Sequence, residues 1–229
     1  TAIPELLRVL DLKGALVSID AMGCQTEIAA QIVAQQGDYV LALKGNQGDL
    51  HKDVQQLFEY ARKQEFHNIE HDFYRTQEQA HGRQEVRQYW VMGETESLIG
   101  AENWSKLSAI GCVEAQRCVG DKITVESRYY LLSLPLDAKR FAEAVRGHWS
   151  IENQLHWILD VEFHEDQSRT TLGHSAENLA VIRHLAVSLL SQDRTAKGGT
   201  RAKRLKAGWD NRYLLQLLSQ SSHPRKSKT

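Results

Sequence analysis

Two short apolar runs, ALVSI at residues 15–19 and YVLAL at 39–43, flank a helical stretch at 24–36, and this spacing constrains the fold more than any other feature. Strand, helix, strand and helix in this order is the rhythm of a parallel sheet with covering helices. Ile28, Ile32 and Val33 give the intervening helix one apolar face, and Gly37 closes it. An earlier helix spans residues 3–12 and stops at Lys13-Gly14. A later one leaves the polar turn KGNQG at 44–48 and runs to about Arg62. Then the rhythm changes. Alternating stretches at 85–92, 107–118 and 123–134, the last two separated by the turn Val119-Gly120-Asp121-Lys122, predict an antiparallel β segment inserted into the α/β scaffold. Helical spacing resumes with Asp137 as N-cap, continues to about Arg169, and returns strongly apolar over 175–192.

With 229 residues, 25% charged and 41% hydrophobic, the chain is long enough for one large domain or two small ones. Its net charge of -1 hides a division: residues 194–228 carry +9 and residues 1–193 carry -10. A basic C-terminal region follows an acidic body. Three cysteines (Cys24, Cys112, Cys118) without a CxxC pair argue against a disulfide framework or a cysteine-rich zinc site and fit a reducing cytosol. No apolar run approaches the roughly 20 residues that cross a bilayer, and no signal peptide is present. The chain begins at Thr1 inside a helical pattern, which predicts that something precedes it.

Open α/β sheets gather active-site groups at the carboxyl ends of their strands, where Asp20 sits; an ordinary turn or cap is the alternative reading of an Asp at that place. Lys44-Gly45-Asn46 ends the second strand at the same edge and offers a cation and an amide to a phosphate, or is a solvated turn. In HGRQEVR (81–87), Arg83, Glu85 and Arg87 alternate along a strand, suiting either a phosphate backbone or cross-strand charge pairs. Residues 146–166, RGHWSIENQLHWILDVEFHED, place His148, Glu152, His156 and Asp160 at four-residue intervals, a helical stripe that is either a metal or catalytic surface or a solvated face. Trp149 and Trp157 lie close to that stripe.

Together, VSIDAMGCQTEIA (17–29), LALKGNQGDLH (41–51), HGRQEVR (81–87) and RGHWSIENQLHWILDVEFHEDQSR (146–169) resemble the H-repeat-associated proteins, bacterial insertion-sequence transposases of the DDE type. The resemblance runs nearly end to end. It implies an RNase H-like core, incomplete at its N-terminus, in which Asp20 is the second acid and Glu152 the third, jointly binding two Mg²⁺ or Mn²⁺ ions. Two such ions can activate a water or 3′-hydroxyl and stabilise the leaving oxygen of a phosphodiester. The 132 residues from Asp20 to Glu152 then contain the β insertion. Double-stranded DNA, held by Lys44, Asn46, Arg83, Arg87, His148, Asn153, Lys203 and Arg204, is the implied partner, with a homodimer and a nucleoid-associated, cytoplasmic protein as further implications.

The sequence departs from its relatives twice. Their first Asp lies upstream of the helix at which this chain begins, so the resemblance implies a fragment inactive by itself. The wider group has Y-x2-R-x3-E-x6-K around its Glu, whereas Val145, His148 and Leu159 stand at the Tyr, Arg and Lys positions here. The implied organisation is a partial core at 1–66, the β-rich insertion at 67–135, the C-terminal helices of the core at 136–192 and the basic region at 193–229. Competing readings are a DNA-binding remnant without chemistry, and a zinc hydrolase using His148, Glu152 and His156. The second is weakened because three ligands on one helix cover little more than half of a coordination sphere and the sequence lacks the HExxH of zincins.

Overall fold

The computed structural model describes residues 2–80, 83–120, 122–151 and 155–220. It divides into two compact units, Thr1–His148 and Trp149–Thr229. The first contains α1 (Ile3–Val9), β1 (Leu16–Ile19), α2 (Thr26–Ala34), β2 (Asp38–Leu43), α3 (Gly48–Lys63), β3 (His71–Ala80), β4 (Arg83–Met92), β5 (Ala109–Val119), β6 (Lys122–Leu132) and most of α4 (Ala138–Ile151).

All six strands form one sheet in the order β1-β2-β6-β5-β4-β3. β1 and β2 are parallel, with Leu16 opposite Asp38 and Ile19 opposite Leu41, as the two apolar runs predict. The parallel arrangement goes no further. β2 pairs antiparallel with β6, Val40 against Leu132 and Leu43 against Tyr129, and the strands from β3 to β6 make an antiparallel meander. The expected hairpin joins β5 to β6, with Val119 opposite Lys122 and Gly120 at φ 56°.

Strand alternation divides the core between two faces. Tyr39, Leu41 and Leu43 of β2 pack with Ile28 and Ile32 of α2, Val54 and Phe58 of α3, and Ile110, Cys112 and Leu131 of the meander. Val40 faces the other way, with Tyr89, Val91, Tyr130 and Leu132, and meets Phe141, Ala142 and Val145 of α4. A sheet covered on both faces explains why the β2 run is continuously apolar. Burial pushes the Cys24 and Cys112 thiols up to about 12, so both behave as small apolar groups and not as nucleophiles.

Polar anchors fix the ends of these elements. Asp137 caps α4 by accepting the Arg140 N–H at 2.8 Å, and Asp72 of β3 accepts the Ala138 N–H at 2.7 Å. At the start of β2, Ser133 Oγ donates to Asp38 at 2.7 Å and accepts the Tyr39 N–H at 2.8 Å, while Lys106 donates to Asp38 at 2.7 Å. Burial opposes ionisation of Asp38. The hydrogen bonds from Lys106 and Ser133, with the charges of Lys106 and Arg140, outweigh it and hold the carboxyl below its usual range.

The second unit holds a π-helical stretch (Ile158–Glu162), α5 (Ser175–Gln192), α6 (Thr200–Trp209) and α7 (Asn211–Gln220). Leu190, Tyr213 and Leu217 form its small core, with Phe163, Ala196 and Ala207 against it. The basic region is therefore largely helical between Thr200 and Gln220.

Gly111 shows how closely α4 packs on β5. A Cβ there would lie 2.6 Å from Phe141 Cζ and 3.0 Å from Leu132 Cδ1. Gly111→Ala is expected to destabilise the protein by about 1–3 kcal/mol, the usual cost of overpacking a filled core, lowering its thermal midpoint by several degrees. Circular dichroism melts check this; an unchanged or raised midpoint would contradict such close packing.

Candidate functional site

The site is built at the carboxyl end of β1. Leu16 packs on the α4 face of the sheet, and Val17 and Ile19 on the opposite face. Alternation therefore puts Ser18 on the α4 face, where its Oγ is 3.4 Å from Nδ1 of His148. Asp20 is still extended (φ -70°, ψ 177°), so the pleat carries it towards the same face, exposed, before the chain turns through a 3₁₀ segment at Ala21–Gly23. Its Oδ1 accepts the Gly23 N–H at 3.4 Å. A Cβ on Gly23 would lie 2.4 Å from Ile19 Cγ2 and 2.9 Å from Ile3 Cδ1, so only glycine lets this turn close against β1 and α1.

The loop after β2 is tied to that turn. Asn46 Nδ2 donates to the Ala21 carbonyl at 2.7 Å, and Gln47 Nε2 donates to the Cys24 carbonyl at 2.5 Å. Lys44 is exposed beside them in sequence. The structure thus brings Asp20, Asn46, Ser18 and His148 to one end of the first unit. Ser18 and Gln47 escaped sequence reasoning. The one signal for Ser18 was a hydroxyl inside an apolar run, and for Gln47 there was none.

Other expected residues are placed differently. Arg87 pairs with Glu85 at 2.9 Å and Glu78 at 3.6 Å and is 26% exposed, an arrangement of charge pairs along and across the strands. Arg146 reaches from α4 to Glu78, and its hydrogen bond is the main cause holding the Glu78 carboxyl below its usual range. The Arg83 side chain, Glu152 and Asn153 lie outside the described residues. His156 and Asp160 are exposed, and the π-helical hydrogen bonding over Ile158–Glu162 ends the regular four-residue stripe expected to reach Asp160. Among the described residues, no group of three or more His, Cys, Asp and Glu side chains is placed to hold a metal.

In the basic region, Lys203 donates to the Leu190 carbonyl at 3.1 Å and the Asp193 carbonyl at 2.8 Å, closing the end of α5. Arg204 hydrogen-bonds the Glu162 carbonyl and lies 5.1 Å over the Phe163 ring. Both cations are partly buried, whereas Arg194, Lys197, Arg201, Lys206 and Arg212 are exposed. Asp193 anchors this region, accepting from Thr195 N (2.9 Å), Thr195 Oγ1 (2.7 Å), Ala196 N (3.2 Å) and Tyr213 OH (2.8 Å). Burial would raise its pKa; these hydrogen bonds win and hold it well below the carboxylate range.

The α/β sheet with an acid at a strand end and the four quoted motifs can be set beside known families. The transposase DDE domain model matches residues 1–189, and the chain belongs to that family. Among its relatives, YbfL of Escherichia coli (strain K12) is 42% identical over 229 residues, covering 96% of this chain and 59% of YbfL. The "H repeat-associated putative transposase YhhI" of the same strain is 42% identical with the same coverage. The chain therefore spans about three-fifths of the length of these relatives. No solved structure matches it.

Because the folded Asp193 is the more acidic, its contribution to stability is present above about pH 4, the unfolded value, and fades as pH falls through that value and below. Asp193→Asn is expected to cost the second unit about 1.5–3 kcal/mol at pH 7, the worth of hydrogen bonds to a charged group, and to flatten its acid dependence. Hydrogen exchange in α5 and α7 between pH 3 and 7 checks this, and an equally steep loss in the variant would contradict it.

Proposed function

We propose that this chain is part of a transposase that cleaves and rejoins double-stranded DNA at insertion-sequence ends, using an RNase H-like core in which Asp20 and Glu152 are acidic ligands. The observation that carries this reading is the family match over residues 1–189, which contains both acids. Supporting it, His148, four residues before Glu152 in sequence, lies within hydrogen-bond distance of Ser18, two residues before Asp20.

The residues fit a hard divalent ion such as Mg²⁺ or Mn²⁺. Asp20 offers carboxylate oxygen, is exposed, and uses only Oδ1 in a hydrogen bond among the described residues. Asp20 and Glu152 would hold the ions, which when bound supply Lewis-acid stabilisation of a phosphodiester. The chain's own cations do the rest. Lys44 meets phosphate beside Asp20, and His148, fixed at Nδ1 by Ser18, offers Nε2 to the same backbone. The exposed cations of the basic region follow the DNA electrostatically, while Lys203 and Arg204 hold that region's fold. Function as a homodimer, in a bacterial cytoplasm at the nucleoid, completes the proposal. Among the described residues no helix is long and apolar enough to cross a membrane.

The test uses a protein spanning the full length of the relatives, in a plasmid nicking assay with Mg²⁺ and with Mn²⁺. Glu152→Gln keeps shape but removes charge, and is expected to lower cleavage by orders of magnitude while DNA binding survives. His156→Ala should cost less. Wild-type cleavage by Glu152→Gln would contradict the mechanism, and binding without cleavage by the parent protein would favour a DNA-binding remnant. Deleting residues 194–229 should weaken binding and flatten its salt dependence, because each lost phosphate contact removes counterion release. An unchanged slope in a salt titration would remove the basic region from the interface.

A further inference from the structure

We propose that Asn46 and Gln47 are positioning residues for Asp20, acting as a two-point amide clamp on the turn that follows it. This rests on the reading of Asp20 as a metal-binding acid. The turn Ala21–Gly23 leaves β1, a strand of four residues paired on one side by β2. A strand of four residues has few backbone bonds to fix what comes after it. Asn46 and Gln47 supply the restraint from the neighbouring loop, through bonds to the carbonyls of Ala21, the first residue of the turn, and Cys24, the residue after it.

The loop is itself set by the chain. It follows directly from β2, whose Tyr39, Leu41 and Leu43 are buried, and Gly48 at φ 49° and ψ -113° ends it and opens α3. The clamp thus transmits the rigidity of β2, a core strand, to the turn after β1. With the turn held, Gly23 N–H keeps Oδ1 of Asp20 and Oδ2 stays available to a cation. Asn46 thereby acts through Asp20, in place of the phosphate contact its position at the sheet edge implies.

Isosteric carboxylates test this, since Asn46→Asp and Gln47→Glu replace an N–H donor by an oxygen facing a carbonyl. The chain is compared by amide hydrogen exchange and by Mn²⁺-induced NMR line broadening in wild type, Asn46→Asp/Gln47→Glu and Asp20→Asn. Gln47→Met, which keeps volume and loses the donor, serves if the double variant does not fold. The expected result is exchange at residues 21–24 raised about tenfold or more, exchange in β5 and β6 unchanged, and Mn²⁺ broadening around Asp20 reduced several-fold. Unchanged exchange at 21–24 would overturn the clamp. Raised exchange with undiminished broadening would overturn the positioning role and leave the amides merely structural. If Asp20→Asn retains full broadening, the reading of Asp20 fails, and the positioning role with it. Loss of broadening in Asp20→Asn but not in the clamp variants sinks the positioning role and leaves the reading of Asp20 standing.

Discussion

The pairing of Val40–Leu43 with Tyr129–Leu132 joins a parallel strand pair to an antiparallel meander, and the placement of every other element in the first unit follows from it. A shift of one residue would exchange the two faces of β2, sending Leu41 and Leu43 towards α4 and Val40 towards α2 and α3. Both faces are apolar, so hydrophobicity alone specifies the register weakly. Polar contacts supply what it lacks. Ser133, just beyond β6, takes the Tyr39 N–H and donates to Asp38, and Lys106 adds a charge to the same carboxylate. This network locks the first residues of β2 against the end of β6.

The consequences reach the site through α4. Its start is pinned by Asp72 and Asp137, its middle packs over Gly111 through Phe141, and Arg146 pairs with Glu78. These restraints bring His148 to Ser18 on the face towards which Asp20 extends. A helix about a hundred residues after β2 in the chain thus carries His148 to β1.

Much of this was legible in the sequence, and the remainder was hidden for identifiable reasons. β1, β2 and the later strands announce themselves as apolar or alternating runs, and α5 occupies the span its pattern predicts. β3 (HDFYRTQEQA) does not, because the end strand of the described sheet needs few apolar residues, and its Glu78 is met by Arg87 of β4 and Arg146 of α4. The single continuous sheet was hidden too, since the β2–β6 pairing joins residues some ninety apart and leaves no local trace. Of the site, Asp20 and its strand end were readable. That Ser18 meets His148, and that Asn46 and Gln47 reach the turn after Asp20, depends on which elements meet, and only the fold decides that. Counting Lys and Arg likewise could not separate cations left exposed from those that hold the fold. Arg62, for example, pairs with Glu114 at 3.1 Å and stacks over Trp90 at 4.9 Å, while Lys203 and Arg204 close helix ends and loops.

The central proposal is that Asp20 and Glu152 are ligands of one divalent-ion site. A crystal structure of the protein soaked in Mn²⁺, with data collected at a wavelength where manganese scatters anomalously, tests it most directly. The account predicts an anomalous peak about 2.0–2.3 Å from carboxylate oxygens of both Asp20 and Glu152. A peak bound elsewhere, or Asp20 and Glu152 carboxylates more than about 15 Å apart, too far to share bridged ions spaced about 4 Å, would contradict it.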